Sequence, residues 1–231
     1  MTAERERGIL FQARVRTLLA LPVLLGALLG TAGDLTWQPG WIYSAILTLS
    51  TVLPLYGPLQ FDLGLIEERL SRRTDAEPWD KAFVALIGVF SIVELAIPGL
   101  DHRWHWSCAA PAWLMWAGAA GVVLGTAGLT WAMRTNRFFS AYVRIQRDRQ
   151  HHVITSGPYR YVRHPGYATW MVQGLSLPLL FGSWWTFIPI AGISLVFIVR
   201  TRLEDNVLME KLQGYREYAS QVRYRLLPGV W

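Results

Sequence analysis

The chain alternates long apolar stretches with short, densely polar ones. Apolar runs lie near Thr17–Leu35, Trp41–Leu59, Ala82–Leu100, Pro111–Met133, Ala168–Phe181 and Trp184–Val199. The first four reach the roughly 20 residues a helix needs to cross a bilayer. The last two are shorter, and either begin inside the preceding polar segment or form a tilted hairpin through "GSWW". This pattern predicts an all-α, multi-pass transmembrane helical bundle of about six spans. Between the second and third runs, "FDLGLIEERLSRRTDAEPWDK" (61–81) reads as a short amphipathic helix. A Glu68–Arg72 pair at i,i+4 supports it, and the Thr74–Pro78 segment ends it.

Composition agrees: 52% of residues are hydrophobic and 16% charged, against about 25% charged in soluble domains. Charge placement then orients the bundle. With the N-terminus inside, segments 1–16, 60–81, 134–167 and 200–231 hold 21 of the 22 Lys and Arg residues, and only Arg103 falls outside them. Positive residues gather on the cytoplasmic side of short loops. Six spans with both termini cytoplasmic, in a bacterial inner membrane, fit this bias. The net charge of +6 is therefore an orientation signal. It makes anionic membrane lipids natural partners and gives no case for nucleic acid. The first apolar run is longer than a signal-peptide core and is read as retained.

Features outside the last hundred residues have plain structural readings. The single Cys108 forms no internal disulfide. His102 and His105 lack a third metal ligand and read as interfacial anchors with Trp104 and Trp106, so no metal is expected. Glu94 lies near the outer end of the third span, where Asp101, His102, Arg103 or His105 can answer its charge in an ion pair. Gly26/Gly30 and Gly121/Gly125 are small-residue pairs that permit close helix approach.

The chemistry is concentrated after Arg134. "RTNRFFSAYVRIQRDRQHHVITSGPYRYVRHPGY" runs into the fifth apolar stretch. Its Gly-Pro turn and the His164–Pro165 step keep the backbone out of helix there. Unpaired backbone groups at a membrane edge need partners, and a polar ligand can supply them. Past the sixth run, "RTRLEDNVLMEKLQGYREYASQVRYRLLPGVW" places Arg200 and Glu204 one helical turn apart. The simple reading of that spacing is an i,i+4 ion pair. The hairpin returns both to the membrane face that holds His164 and Tyr167, so two polar clusters meet at one mouth. No P-loop and no strand followed by G-x-G-x-x-G is present. His, Arg, Tyr and an isolated Glu suit a zwitterion with an aromatic ring and a positive centre, which is the character of S-adenosylmethionine.

Taken together, "VRIQ…HHVITSGPYRYVRHPGY", an apolar hairpin and "RTRLED…L…GYREYASQVRYRLLPG" resemble the isoprenylcysteine carboxyl methyltransferase family, whose wider relatives include phospholipid N-methyltransferases and bacterial membrane thiol methyltransferases. The resemblance covers roughly 134–231. It divides the chain into N-terminal transmembrane helices (1–133) and a methyltransferase core (134–231). It implies a cofactor pocket, formed by the C-terminal half at the cytoplasmic end of the last spans, for S-adenosylmethionine. By motif position, Gln146, His151, His152, Val153 and Ile154 would line the cofactor. Tyr159 and the residues His164, Pro165, Gly166 and Tyr167 would cradle it, Glu204 would hold its polar end, and Arg200 would face the acceptor. Where related enzymes carry two Glu residues this chain has Glu204–Asp205, and the role is placed on Glu204.

The implied activity is methyl transfer to a lipophilic acceptor, an isoprenylcysteine-like carboxylate in the first instance. A carboxylate is already ionised near pH 7 and needs no base. A thiol or amine (phospholipid) acceptor would have to lose a proton, with His151 and His152 as the available bases. A membrane NADPH-dependent sterol-type reductase is the other enzyme reading, opposed by "HPGY" where those enzymes carry Asn-Tyr. A transporter or scaffold would place its polar groups at mid-membrane. The acceptor's identity and the oligomeric state stay open.

Overall fold

The structure, a computed structural model, describes residues 2–56, 60–71 and 76–231. Among these are eight α-helices and no strand: α1 (Ala3–Ala32), α2 (Gln38–Val52), α3 (Leu63–Leu70), α4 (Pro78–Trp104), α5 (Ala112–Thr135), α6 (Pro165–Phe181), α7 (Phe187–Lys211) and α8 (Tyr215–Gln221). α1, α4, α5 and the Trp184–Lys211 stretch that contains α7 are long and apolar enough to cross a membrane. The protein is thus a multi-pass, all-helical membrane protein. α2 and α6 stand where the second and fifth spans were expected, but run only 15 and 17 residues.

Local chemistry sets the boundaries. Thr2 caps α1 by accepting from the Arg5 amide, and α1 ends at Gly33 in the left-handed conformation. Pro78 opens α4, where a missing N–H costs nothing. α7 continues well beyond its apolar residues to Lys211, because its polar end is held by partners on other elements, described below.

α5 and α6 pack closely through glycine. A Cβ at Gly125 would lie 2.6 Å from the Gln173 amide nitrogen, and one at Gly121 would strike Ser176. This is the small-residue seam expected from the Gly121/Gly125 spacing. Gly26 and Gly30 face open space instead and hold no contact.

At one end of the bundle a buried core gathers Leu28, Trp37, Tyr43, Val122, Leu180 and Phe181. It is closed by Asp101, whose carboxylate accepts from the Ser107 amide (2.8 Å), the Ser107 hydroxyl (2.5 Å) and the Ser183 hydroxyl (2.5 Å). One acid therefore ties α4, the loop before α5 and the α6–α7 turn together. His102 bonds Asp34 (2.9 Å) and stacks on Trp37, and Trp104 and Trp106 stack on each other at the surface.

Two expected ion pairs need comment. Glu94 is buried and makes no hydrogen bond or ion pair with the described residues. Asp101 and His102 are engaged by closer partners, which corrects the expected pairing. The Glu68–Arg72 pair falls partly on Arg72, outside the described residues. Glu68 itself is buried and receives Arg144 on both of its oxygens, at 3.0 and 2.9 Å.

Candidate functional site

The opposite end of the bundle holds a cleft with about 820 Å³ of non-atom space, part of it open to solvent. Three pieces of chain build it.

The first piece is the segment from Asn136 to Arg163, which is irregular apart from 3₁₀ turns at Arg147–Arg149 and Gly157–Arg160. Gly157 has a φ of 58°, and a Cβ there would press on Thr135 and Trp131, so only glycine closes this turn easily. Gln146 is fully buried. Its amide donates to the Phe138 carbonyl (2.7 Å) and accepts from Arg149 (2.7 Å), while its backbone N–H reaches His151 Nδ1 (3.3 Å). Gln146 thus braces the loop behind the cleft wall. Phe138 packs its ring on His151 (4.5 Å between centroids) and meets His152 edge-on (4.9 Å). Burial, then the neighbouring His152 and arginines, push the His151 pKa down to about 4. With Nδ1 accepting a bond, His151 is neutral and carries its proton on Nε2.

The second piece is the His164–Pro165 corner at the start of α6. Its backbone is held from outside: the Arg163 and His164 amides donate to the Tyr224 and Arg225 carbonyls, both at 2.9 Å. The C-terminal tail therefore folds back beside the corner. Asp205 fastens the same junction. It receives Arg163 Nη1 (2.9 Å), Arg225 Nε (3.0 Å) and Tyr215 OH (2.8 Å), and contacts His164 Nε2 at 3.3 Å.

The third piece is α7. Glu204 accepts a 2.6 Å bond from the Tyr167 hydroxyl, and among the described residues no cation forms an ion pair with it. The Tyr167 ring lies parallel to His164 (5.9 Å) and stacks on Phe197 (4.8 Å). Arg200 does not form the i,i+4 pair with Glu204 that the spacing allows. Its Nε and Nη2 bond the two oxygens of Asp80 at 2.7 and 3.1 Å, and Nη2 also donates to the Ala141 carbonyl at 2.7 Å. A fully buried carboxylate with fork geometry outcompetes a flexible glutamate that already holds a tyrosine hydroxyl.

Of the residues expected at the site, His151, His152, Val153, Ile154, Tyr159, His164, Gly166, Tyr167, Arg200 and Glu204 line this one cleft. Gln146 and Pro165 stand behind it, the latter as the first residue of α6. The sequence reading missed Phe138, Arg163, Tyr215 and Tyr218, which also line it, and Asp80, Glu68 and Asp205, which hold its arginines. Asp80 stands in the first turn of α4, where acidic residues are common. Only its distance from solvent marks it out.

The cleft's donor set fits S-adenosylmethionine. Aromatic rings border the space, and among the described residues the acid facing it, Glu204, has no ion-pair partner and the buried Arg163 Nε has no hydrogen-bond partner. Residues 116–210 match the sequence model of the isoprenylcysteine carboxyl methyltransferase family. The chain is 26% identical over 151 residues to protein-S-isoprenylcysteine O-methyltransferase B of Arabidopsis thaliana, covering 61% of this chain and 70% of that one. It is 28% identical over 120 residues to protein-S-isoprenylcysteine O-methyltransferase of Dictyostelium discoideum, covering 51% of this chain and half of that protein. The matched segment contains the cleft's loop, the His164–Pro165 corner and the Arg200–Glu204 turn, and over this stretch the chain is similar to the isoprenylcysteine carboxyl methyltransferase family.

Proposed function

We propose that this protein is an integral membrane methyltransferase that uses S-adenosylmethionine to methylate a lipophilic acceptor ending in a carboxylate, of the prenylcysteine kind. The observation that carries this is the meeting of Glu204, Tyr167, His164 and Arg200 in one cleft at the polar end of α7. The core of the activity is residues 134–231. The cleft end of the bundle faces the cytoplasm of a bacterial cell, with both termini on that side, as the distribution of basic residues supports.

S-adenosylmethionine supplies a methyl group activated by a sulfonium. Glu204 offers negative charge to the cofactor's positive centres, since its only hydrogen-bond partner among the described residues is a neutral hydroxyl. His151, His152, Val153 and Ile154 form the wall on the loop side, and Tyr159, His164, Gly166 and Tyr167 the wall on the α6 side. Arg200 uses two of its three nitrogens on Asp80 and Ala141. Its Nη1 remains to orient an acceptor carboxylate. That acceptor is nucleophilic as it stands, so the rate gain comes from alignment and exclusion of water. The neutral His151 is not required as a base in this scheme. Prenylated substrates and lipids approach from the surrounding bilayer.

Isothermal titration with S-adenosylhomocysteine and NADPH tests the reading first. Micromolar binding of the former and none of the latter is expected, and the reverse would restore a reductase. A radiolabelled methyl-transfer assay against a farnesylated cysteine, a lipid extract and small thiols then decides the acceptor class. Label appearing only in the thiols or the lipid headgroups would overturn the carboxylate assignment.

A further inference from the structure

We propose that Asp80 is a positioning residue for methyl transfer, acting through Arg200, so that α4 completes a site whose other parts come from the last hundred residues. This rests on the reading of the cleft as a methyl-transfer site. Asp80 lies outside the segment that matches the family, 116–210, and in the first turn of α4.

Three observations carry the proposal. Asp80 is fully buried, and both its oxygens are used on the cleft side: Oδ1 by Arg200 Nε at 2.7 Å, Oδ2 by Arg200 Nη2 at 3.1 Å and by the Val143 amide at 2.7 Å. It therefore joins α4, α7 and the 141–143 loop, and Tyr142, Val143 and Arg200 all line the cleft. The guanidinium is held in a defined plane, with its carbon 5.4 Å from the Tyr167 ring centroid. Only Nη1 makes no hydrogen bond with the described residues. An ordinary acidic residue in a first turn sits in solvent and interacts favourably with the helix dipole. Asp80 has no solvent contact and spends its bonds on an arginine from a distant helix.

The arrangement separates two effects of one carboxylate. Its charge offsets that of Arg200 and so restrains binding of an anionic acceptor. Its geometry fixes where the remaining guanidinium nitrogen points. Removing the charge while keeping an acceptor oxygen for Val143 relaxes both. Anionic acceptors should then bind at least as well, but in poorer alignment with the methyl group.

The test uses the full-length protein in lipid nanodiscs, comparing wild type, Asp80→Asn and Asp80→Glu. S-adenosylhomocysteine titration counts competent sites, and Asp80→Asn should keep the stoichiometry and stay within threefold in affinity. With a farnesylated cysteine carboxylate as acceptor, kcat per competent site should fall at least tenfold with no rise in KM, and Asp80→Glu should recover part of kcat. A kcat loss that merely tracks lost binding sites makes Asp80 a folding residue and overturns the proposal, as does full kcat in Asp80→Asn. If the wild type binds no S-adenosylhomocysteine or methylates no carboxylate, the functional reading fails instead. A thermal-unfolding cycle of Asp80→Asn with Arg200→Met then decides the anchor by itself: additive shifts overturn it, and non-additive shifts uphold it.

Discussion

The two ends of the bundle each bury carboxylates, and they use them differently. At the far end Asp101 takes three donors, two hydroxyls and one amide, all from segments it must hold together. Its bonding is saturated internally, and what results is a closure. At the cleft end Asp80, Glu68 and Asp205 restrain arginines, while Glu204 next to Asp205 is half-buried and, among the described residues, bonds only a tyrosine hydroxyl. An acid left without an ion-pair partner at the mouth of a cleft is available to a ligand. The contrast between Glu204 and Asp205 teaches the same lesson at the smallest scale. Adjacent acids on one helix face in different directions, one toward a space and one into a knot.

The largest effect should come from untying that knot. Asp205→Ala leaves Arg163 and its neighbours without their acid, at a cost of about 3–5 kcal/mol, and thermal unfolding should show it together with lost S-adenosylhomocysteine binding. Asp101→Ala should cost less, about 1–3 kcal/mol for hydroxyls and an amide left unpaired, and should spare cofactor affinity. Equal loss of binding in both would erase the distinction between the two ends. Next, Gly125→Val drives a side chain into the Gln173 backbone and should destabilise the bundle by about 1–3 kcal/mol, whereas Gly26→Val should leave the unfolding midpoint unchanged. Smaller again, Glu204→Gln should weaken S-adenosylhomocysteine at least tenfold, about 1.4 kcal/mol, with little change in stability. His164→Ala should weaken it comparably. Undiminished affinity in both would remove the cofactor from this cleft.

The smallest effect is a pH dependence. His151 titrates near 4 in the folded protein and near 6.5 unfolded. Between those values the unfolded chain binds more protons, so stability rises with pH. The contribution is complete above about pH 6.5 and fades as pH falls toward 4. Chemical-denaturation midpoints of the wild type should fall as pH drops from about 6.5 toward 4, and His151→Phe should lack that part of the fall if the histidine is responsible.

The all-helical class, the α5–α6 glycine seam and the Gly-Pro turn were legible in the chain, because each follows from local hydropathy or from backbone sterics, whereas the helix ends were not: α1 begins at Ala3, α6 at Pro165, and α7 runs on to Lys211. Part of the cleft's lining was legible too, His164, Tyr167, Arg200 and Glu204 among it, whereas Phe138, Arg163, Tyr215 and Tyr218 were not. A basic loop, a proline corner and a polar helix end on one membrane face have little room to avoid one another. Pairing was not legible. Arg200 had Glu204 at ideal helical spacing, yet its partner is Asp80, 120 residues away. Nor did the chain show that Glu68 holds Arg144, 76 residues away. Sequence distance says nothing about which acid is desolvated beside which guanidinium, and burial decides that competition. The chain alone determined that there would be a membrane bundle with polar chemistry at one end. Tertiary packing decided which charges are spent on the scaffold and which are left for a ligand, because only the folded arrangement sets each group's access to water.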